Sequence, residues 1–230
     1  MNDLIFHQLF ASESSTYTYL LADEHTGEAI LIDPVLENVK RDLELINELN
    51  LKLLYVLETH VHADHITGSG KIADATGAQI ACSTAAKVTS PFKALKDGDV
   101  LHFGSHLLRA LETPGHTNSC MTYLVGNMAF TGDALMVRSI GRTDFQDGSS
   151  EKLYQSVHQK LFSLPDDTEV YPAHDYKGFT SSTIGLEKRF NTRLNQNTTV
   201  AQFISTMANL NLPKPKKIDV AVPANLRFGR

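Results

Sequence analysis

A layered α/β fold with a mixed sheet is what this 230-residue sequence predicts, on three observations. Helix-period and strand-type segments interleave in both halves of the chain, several strand pairs are separated only by tight turns, and the central strands are short apolar runs suited to burial on both faces. A purely parallel Rossmann sheet does not follow, because turns that short join antiparallel strands.

The elements can be taken in order. Leu4 to Phe10 and Tyr17 to Ala22 are rich in aromatic and β-branched residues and read as strands. The turn Asp23 to Gly27 leads into a compact apolar strand, Ala29 to Ile32, that ends at Asp33-Pro34. Leu36, Val39, Leu43, Ile46 and Leu49 then recur at helical steps, and Leu53 to Leu57 returns to a buried-strand pattern. Ile66 to Ala75 suits a helix ending near Gly77, and Ala78 to Cys82 another strand. Short strands are expected at Val100–Phe103 and Leu107–Leu111, and Gly126-Asn127 connects a hairpin of Met121–Val125 with Met128–Thr131. Leu153, Val157, Leu161 and Leu164 mark a second amphipathic helix, stopped by Pro165, and Glu169 to Tyr171 a last short strand. The segment from Leu212 to Arg230, with three prolines and three lysines, is expected to run extended over the surface. With no repeat, low-complexity tract or convincing linker, residues 1–230 read as one domain.

Composition narrows the function classes. A formal net charge of −5 gives no reason to expect nucleic-acid or membrane partners. No apolar run approaches membrane-spanning length. The start of the chain lacks the basic and apolar pattern of a targeting segment, and two cysteines cannot make a disulfide framework. A soluble cytoplasmic protein is the expectation.

The chemistry concentrates where the strand ending at Leu57 runs into Thr59-His60-Val61-His62-Ala63-Asp64-His65. Four imidazole or carboxylate groups in six residues suit zinc, iron or manganese. Buried without a metal they would be left with costly unsatisfied polar atoms. Three later strands end on similar groups: His116 after Thr113-Pro114-Gly115, Asp133 after Thr131-Gly132, and His174 after Pro172-Ala173. Together they bring six or seven ligands to one edge of a layered sheet. His7, His25, His102, His106 and His158 stand alone and carry no such expectation. Cys120 reads as a small buried hydrophobe.

The order Thr59-His60-x-His62-x-Asp64-His65, His116, Asp133, His174 resembles the metallo-β-lactamase superfamily, whose fold is an αβ/βα sandwich with metal at one edge. Within it, Glu58 to Gly68, His116-Thr117-x-x-Cys120-x-Thr122-Tyr123 and Gly132-Asp133-Ala134-Leu135 resemble the persulfide dioxygenases. So do Gly141-Arg142-Thr143-Asp144-Phe145-Gln146, Tyr171 to Tyr176 with Gly178, and Asn191-x-Arg193-Leu194, with Thr192 departing from an expected proline. The Gly-Arg-Thr-Asp-Phe-Gln stretch is the most discriminating of these.

The resemblance implies one iron(II) per chain on His60, His116 and Asp133, a facial triad with open positions. It implies that His62, Asp64, His65 and His174 support that site or hold a second metal. The implied reaction oxidises glutathione persulfide with O2 and water to sulfite and glutathione. Arg142, Tyr176 and Arg193 are candidates to bind the tripeptide, Arg142 as a carboxylate clamp or, equally, as the partner of Asp144 or Asp147. A homodimer, and sulfur transfer left to a separate rhodanese since no rhodanese domain is present here, complete the implication. Two other readings use the same residues: a binuclear zinc glutathione thioesterase of glyoxalase II type, and a non-catalytic persulfide or metal sensor.

Overall fold

The computed structural model describes residues 3–230. Two six-stranded sheets face each other. The first runs in sequence order: β1 (Leu4–Ala11), β2 (Thr16–Asp23), β3 (Glu28–Ile32), β4 (Lys52–Leu57), β5 (Gln79–Ser83) and β6 (Lys93–Leu95). The second is assembled from β7 (Val100–Phe103), β8 (His106–Glu112), β9 (Met121–Val125), β10 (Met128–Gly132), β11 (Glu169–Pro172) and β12 (Ser182–Thr183). β1 to β3 are antiparallel and β3 to β6 parallel, while in the second sheet only β10 and β11 pair in parallel. Both sheets are thus mixed, as expected.

Strand periodicity assigns each side chain to a layer. Tyr17, Tyr19 and Leu21 of β2, with Ile30 and Ile32 of β3, point between the sheets, where they meet Phe103, Leu108, Tyr123 and Phe130. The intervening Leu20, Ala22, Ala29 and Leu31 point outward against Ile46 of α1 (Val39–Glu48) and Ile72 of α2 (Ser69–Thr76). On the far side, Val170 packs on Leu153 of α3 (Ser150–Ser156), Ile184 of α4 (Ile184–Phe190) and Phe203 of α5 (Val200–Ala208). Helices therefore cover both outer faces, and strands buried on both sides read as unbroken apolar runs.

Three expectations are corrected. The helix expected from Ile66 begins only at Ser69, because Thr67 uses its hydroxyl and amide in loop contacts with Pro34, Glu58 and Asn225. The amphipathic helix through Leu164 stops being regular at Ser156 and continues as a wider π-helical turn, Val157–Leu161. The segment Leu212 to Arg230 is not an extended surface tail throughout. Residues Ile218–Asn225 form a helix, α6, and Ala221, Asn225 and Phe228 are buried. Proline at 223 hides that helix from a periodicity reading.

Candidate metal centre

Strand polarity builds the site. β3 and β4 run parallel in the first sheet, so both end at the same edge. In the second sheet β8 and β10 are each antiparallel to β9, and β11 is parallel to β10, so β8, β10 and β11 also share an end. Asp33 follows β3, the His-rich loop follows β4, and His116, Asp133 and His174 follow β8, β10 and β11. Contacts across the sheets close that edge: Met121 N donates to Thr59 O at 2.8 Å, Tyr123 Oη to Glu58 O at 2.7 Å, and Tyr17 N to Ala173 O at 2.8 Å.

All seven sequence-predicted ligands come together, in two groups. His60, His116 and Asp133 can each offer an atom within 4.8 Å of the others, and so can His62, Asp64, His65 and His174. The five isolated histidines belong to neither group.

Hydrogen bonds fix which imidazole nitrogen is available in the first group. His116 Nδ1 lies 2.6 Å from the Arg142 carbonyl, which can only accept, so Nδ1 is the donor and Nε2 is the nitrogen left for a metal. Thr59 Oγ1 donates to Asp33 Oδ2 at 2.7 Å; its one proton is spent there, so it accepts from His60 Nδ1 at 3.0 Å. His60 Nε2 is likewise left free. Burial, then neighbouring His62 and His116, holds His60 well below the usual imidazole range, in the neutral form that binds metal. Burial alone would raise Asp133, but His174, with Nδ1 2.7 Å from Oδ1, is the largest opposing influence, and the carboxyl is held below its usual range. Two lone pairs and one anion on a shared point are a donor set that fits a divalent metal.

The second group also carries unmet demand. Both ring nitrogens of His62, and Nε2 of His65, are buried without a hydrogen-bond partner among the described residues. His62 Nε2 lies 3.2 Å from Asp33 Oδ1 and 3.7 Å from Glu58 Oε2. Burial disfavours a charge on His62, yet Asp33, Asp64 and Glu58 together outweigh it and raise its basicity. Burial also pushes the Glu58 carboxyl up to about 7. Asp33 and Glu58 complete a third cluster with His62. Both were outside the predicted site; the signal available for Asp33 was its place at a strand end facing the His-rich loop.

A cleft of about 540 Å³ opens over His60, His116, Asp133 and His174, in the range of small-molecule sites. Arg142, Tyr176 and Arg193 all line it. Arg142 is already engaged: Nε and Nη2 grip Asp144 at 2.7 Å each, Nη1 donates to Pro213 O at 2.7 Å, and the guanidinium lies 4.6 Å over the Phe145 ring. Pairing with Asp144, one of its two expected roles, is what the geometry displays. Arg193 donates to the Ile140 carbonyl at 2.9 Å and is the freer cation. Tyr176 is 69% exposed at the mouth, its ring parallel to His174. Thr192, in place of proline, closes its turn by donating to Arg138 O at 2.9 Å. Cys120 is buried, and burial pushes its thiol up to about 12, so it is inert.

Comparison with known proteins agrees with this geometry. Residues 11–174 match the model of the metallo-beta-lactamase superfamily. The human protein named "Persulfide dioxygenase ETHE1, mitochondrial" is 49% identical over 98% of this chain and 89% of its own length. The crystal structure of ETHE1 from Myxococcus xanthus superposes with a TM-score of 0.95, at 52% identity, covering 98% of this chain and all of that one. The structure of TTHA1623 "in a di-iron-bound form" matches with a TM-score of 0.70 at 25% identity, covering 82% of this chain and 100% of that one. The chain belongs to the metallo-β-lactamase superfamily, in the branch of the persulfide dioxygenases.

Proposed function

We propose that this enzyme is a persulfide dioxygenase that converts glutathione persulfide, O2 and water into glutathione and sulfite. The observation that carries the reading is the triad of His60, His116 and Asp133 under an open cleft, in a chain about half identical to persulfide dioxygenases over nearly its whole length. Similarity of that extent favours neither the zinc thioesterase nor the sensor.

Iron(II) is the metal assigned to the triad, one per chain; when bound it supplies the redox chemistry towards dioxygen that zinc lacks. Everything else falls to the chain. His60 and His116 present Nε2, each ring oriented by the bond at its Nδ1, and Asp133 adds the negative charge. His62, Asp64, His65 and His174 act as the supporting set. His174 bridges two carboxylates, Asp133 at 2.7 Å and Asp64 at 3.0 Å, and so holds Asp133 in place. The cleft supplies Arg193, Lys216 and Lys217 for the two carboxylates of glutathione, and Met136, Ile140 and Leu212 for its apolar atoms. Tyr176 borders the entrance.

The deciding experiment is metal quantification after anaerobic purification, followed by oxygen-electrode assays with glutathione persulfide and a glutathione thioester. About one iron per chain and oxygen uptake on persulfide addition are expected, and replacing iron with zinc should abolish the uptake. A protein active on the thioester with zinc alone, consuming no oxygen, sinks the proposal.

Arg142 enters as the brace of one cleft wall. Arg142→Lys loses the two-pronged grip on Asp144 and loosens the segment at Pro213. The Michaelis constant for glutathione persulfide should rise several-fold, roughly the effect of one lost charge-assisted bond, while turnover changes less. An unchanged Michaelis constant removes Arg142 from the substrate site.

Residues 1–230 are taken as one metallo-β-lactamase-fold domain, since both sheets share a single core. No helix among the described residues is long and apolar enough to cross a membrane. Both cysteines are free and buried, which suits a reducing setting such as cytoplasm, whereas the mammalian relatives are named as mitochondrial. A homodimer and a separate rhodanese belong to the proposal on the resemblance alone.

A further inference from the structure

The loop from Glu58 to Thr67 is irregular, so none of its carbonyls is satisfied by a regular ladder, and each needs a partner from elsewhere. Glu58 O and Thr59 O are met from β9 through Tyr123 and Met121. Val61 O accepts from Gln146 Nε2 at 2.7 Å. The two carbonyls that flank the ligand-bearing turn, His62 O and His65 O, both accept from Asn225 Nδ2, at 2.9 Å each. Asn225 Oδ1 accepts in turn from Thr67 N at 2.9 Å. One primary amide thus makes three bonds to a single loop, using both its protons and its oxygen, from a position 160 residues along the chain and only 4% exposed.

The rest of α6 and its extension hold that amide in place. Phe228 is buried in a cluster with Val61, Ile80 and Cys82. Gly70 N donates to Phe228 O at 2.9 Å, Thr89 N to Leu226 O at 2.8 Å, and Arg230 pairs with Asp74 at 2.7 Å. Gly229, at φ +73°, passes so close to Thr67 O that a Cβ there would lie 2.1 Å away. A helix that only covered surface would not need a buried three-bond amide at its end.

We infer that Asn225 is a positioning residue of the metal centre: its amide fixes the backbone of the His62–Thr67 turn, and through it the placement of His62, Asp64 and His65, the set that supports the His60, His116 and Asp133 triad. The inference rests on the metal-centre reading given above, and goes beyond it in assigning residues 218–230 to the site.

Cobalt(II) added to metal-free protein is the probe, read by its visible absorption spectrum and by its affinity in competition with a chelator. Three variants are compared with the parent: Asn225→Ala; Asn225→Ser, whose side chain is too short to span both carbonyls but leaves room for a water; and Met207→Ala, a cavity control in the α5 cluster, which holds none of the candidate ligands. Both Asn225 variants should bind cobalt about tenfold or more weakly, the usual cost of losing a group that orients metal ligands, and should show a shifted spectrum. Met207→Ala should lower the melting temperature of the metal-free protein while leaving cobalt affinity and spectrum as in the parent. Parent-like affinity and spectrum in a folded Asn225 variant overturn the inference, as does a loss in Met207→Ala equal to that in Asn225→Ser. Failure of the parent itself to bind cobalt overturns the metal-centre reading instead.

Discussion

Asp133→Asn is expected to leave a folded protein that holds almost no iron and consumes oxygen with glutathione persulfide at least about a hundredfold more slowly, the upper end of what losing a ligand's mere supporting partner costs. Asp133 is the one anion in the triad, 9% exposed at the end of β10. Its two oxygens do different work. Oδ1 accepts from His174 Nδ1 at 2.7 Å, and Oδ2 faces His116 Nε2 at 3.6 Å, across the space a metal would take. An amide of the same shape keeps one acceptor oxygen but loses the charge, and it turns an NH2 towards either His174 or the metal. Neither orientation serves both demands. His65→Ala is the informative companion, because His65 belongs to the second group and touches Asp64, with Nδ1 2.9 Å from Oδ2. In a mononuclear enzyme His65→Ala keeps about one iron per chain and loses less activity than Asp133→Asn. Metal content falling from two per chain to one would install a binuclear centre in its place.

The candidate ligands were legible in the sequence because their chemistry is local: histidine and aspartate at strand ends have few other reasons to cluster. His60, His116, Asp133 and His174 are up to 114 residues apart (174 − 60), yet each follows an apolar run that betrays its strand. The fold was legible for the same reason, through Tyr17 to Ala22, Ala29 to Ile32 and Leu53 to Leu57, whose apolar continuity comes from burial on two faces. What stayed hidden was the support behind the ligands. Asn225 sits in a stretch with two prolines before α6 and one within it, where neither helical period nor charge marks a buried face. Its value is geometric, one amide meeting two carbonyls, and no residue spacing encodes that. Arg142 was ambiguous between a substrate and Asp144 because a guanidinium suits any nearby carboxylate. α5 carried a readable sign, the capping box of Thr199 and Gln202, although its apolar face alone is short.

Asp33 is the strongest case of hidden support, and Asp33→Ala should have the largest effect on stability of any single change at the site. Its carboxylate is fully buried and accepts from Thr59 N and Thr59 Oγ1, at 2.7 Å each, while Oδ1 lies 3.2 Å from His62 Nε2. Alanine would orphan a buried amide and remove the charge that balances His62. The residue also holds a left-handed conformation, φ +51°, which aspartate tolerates better than alanine. Breaking one partner out of a buried charged network costs about 3–5 kcal/mol, which in a chain of this size corresponds to a fall in melting temperature on the order of 10 °C. The metal-free protein is the right sample for calorimetry, since bound metal would add its own stabilisation. The consequence for the metal follows from one proton. With Asp33 gone, the Thr59 hydroxyl no longer has to point away from His60, so it can donate to Nδ1 and leave the proton on Nε2, the nitrogen the metal needs. Asp33→Ala should therefore lose metal affinity in addition to stability, even at temperatures well below its own melting point. A variant that melts lower but binds cobalt as tightly as the parent would show that the Asp33–Thr59–His60 chain holds the fold and not the imidazole tautomer.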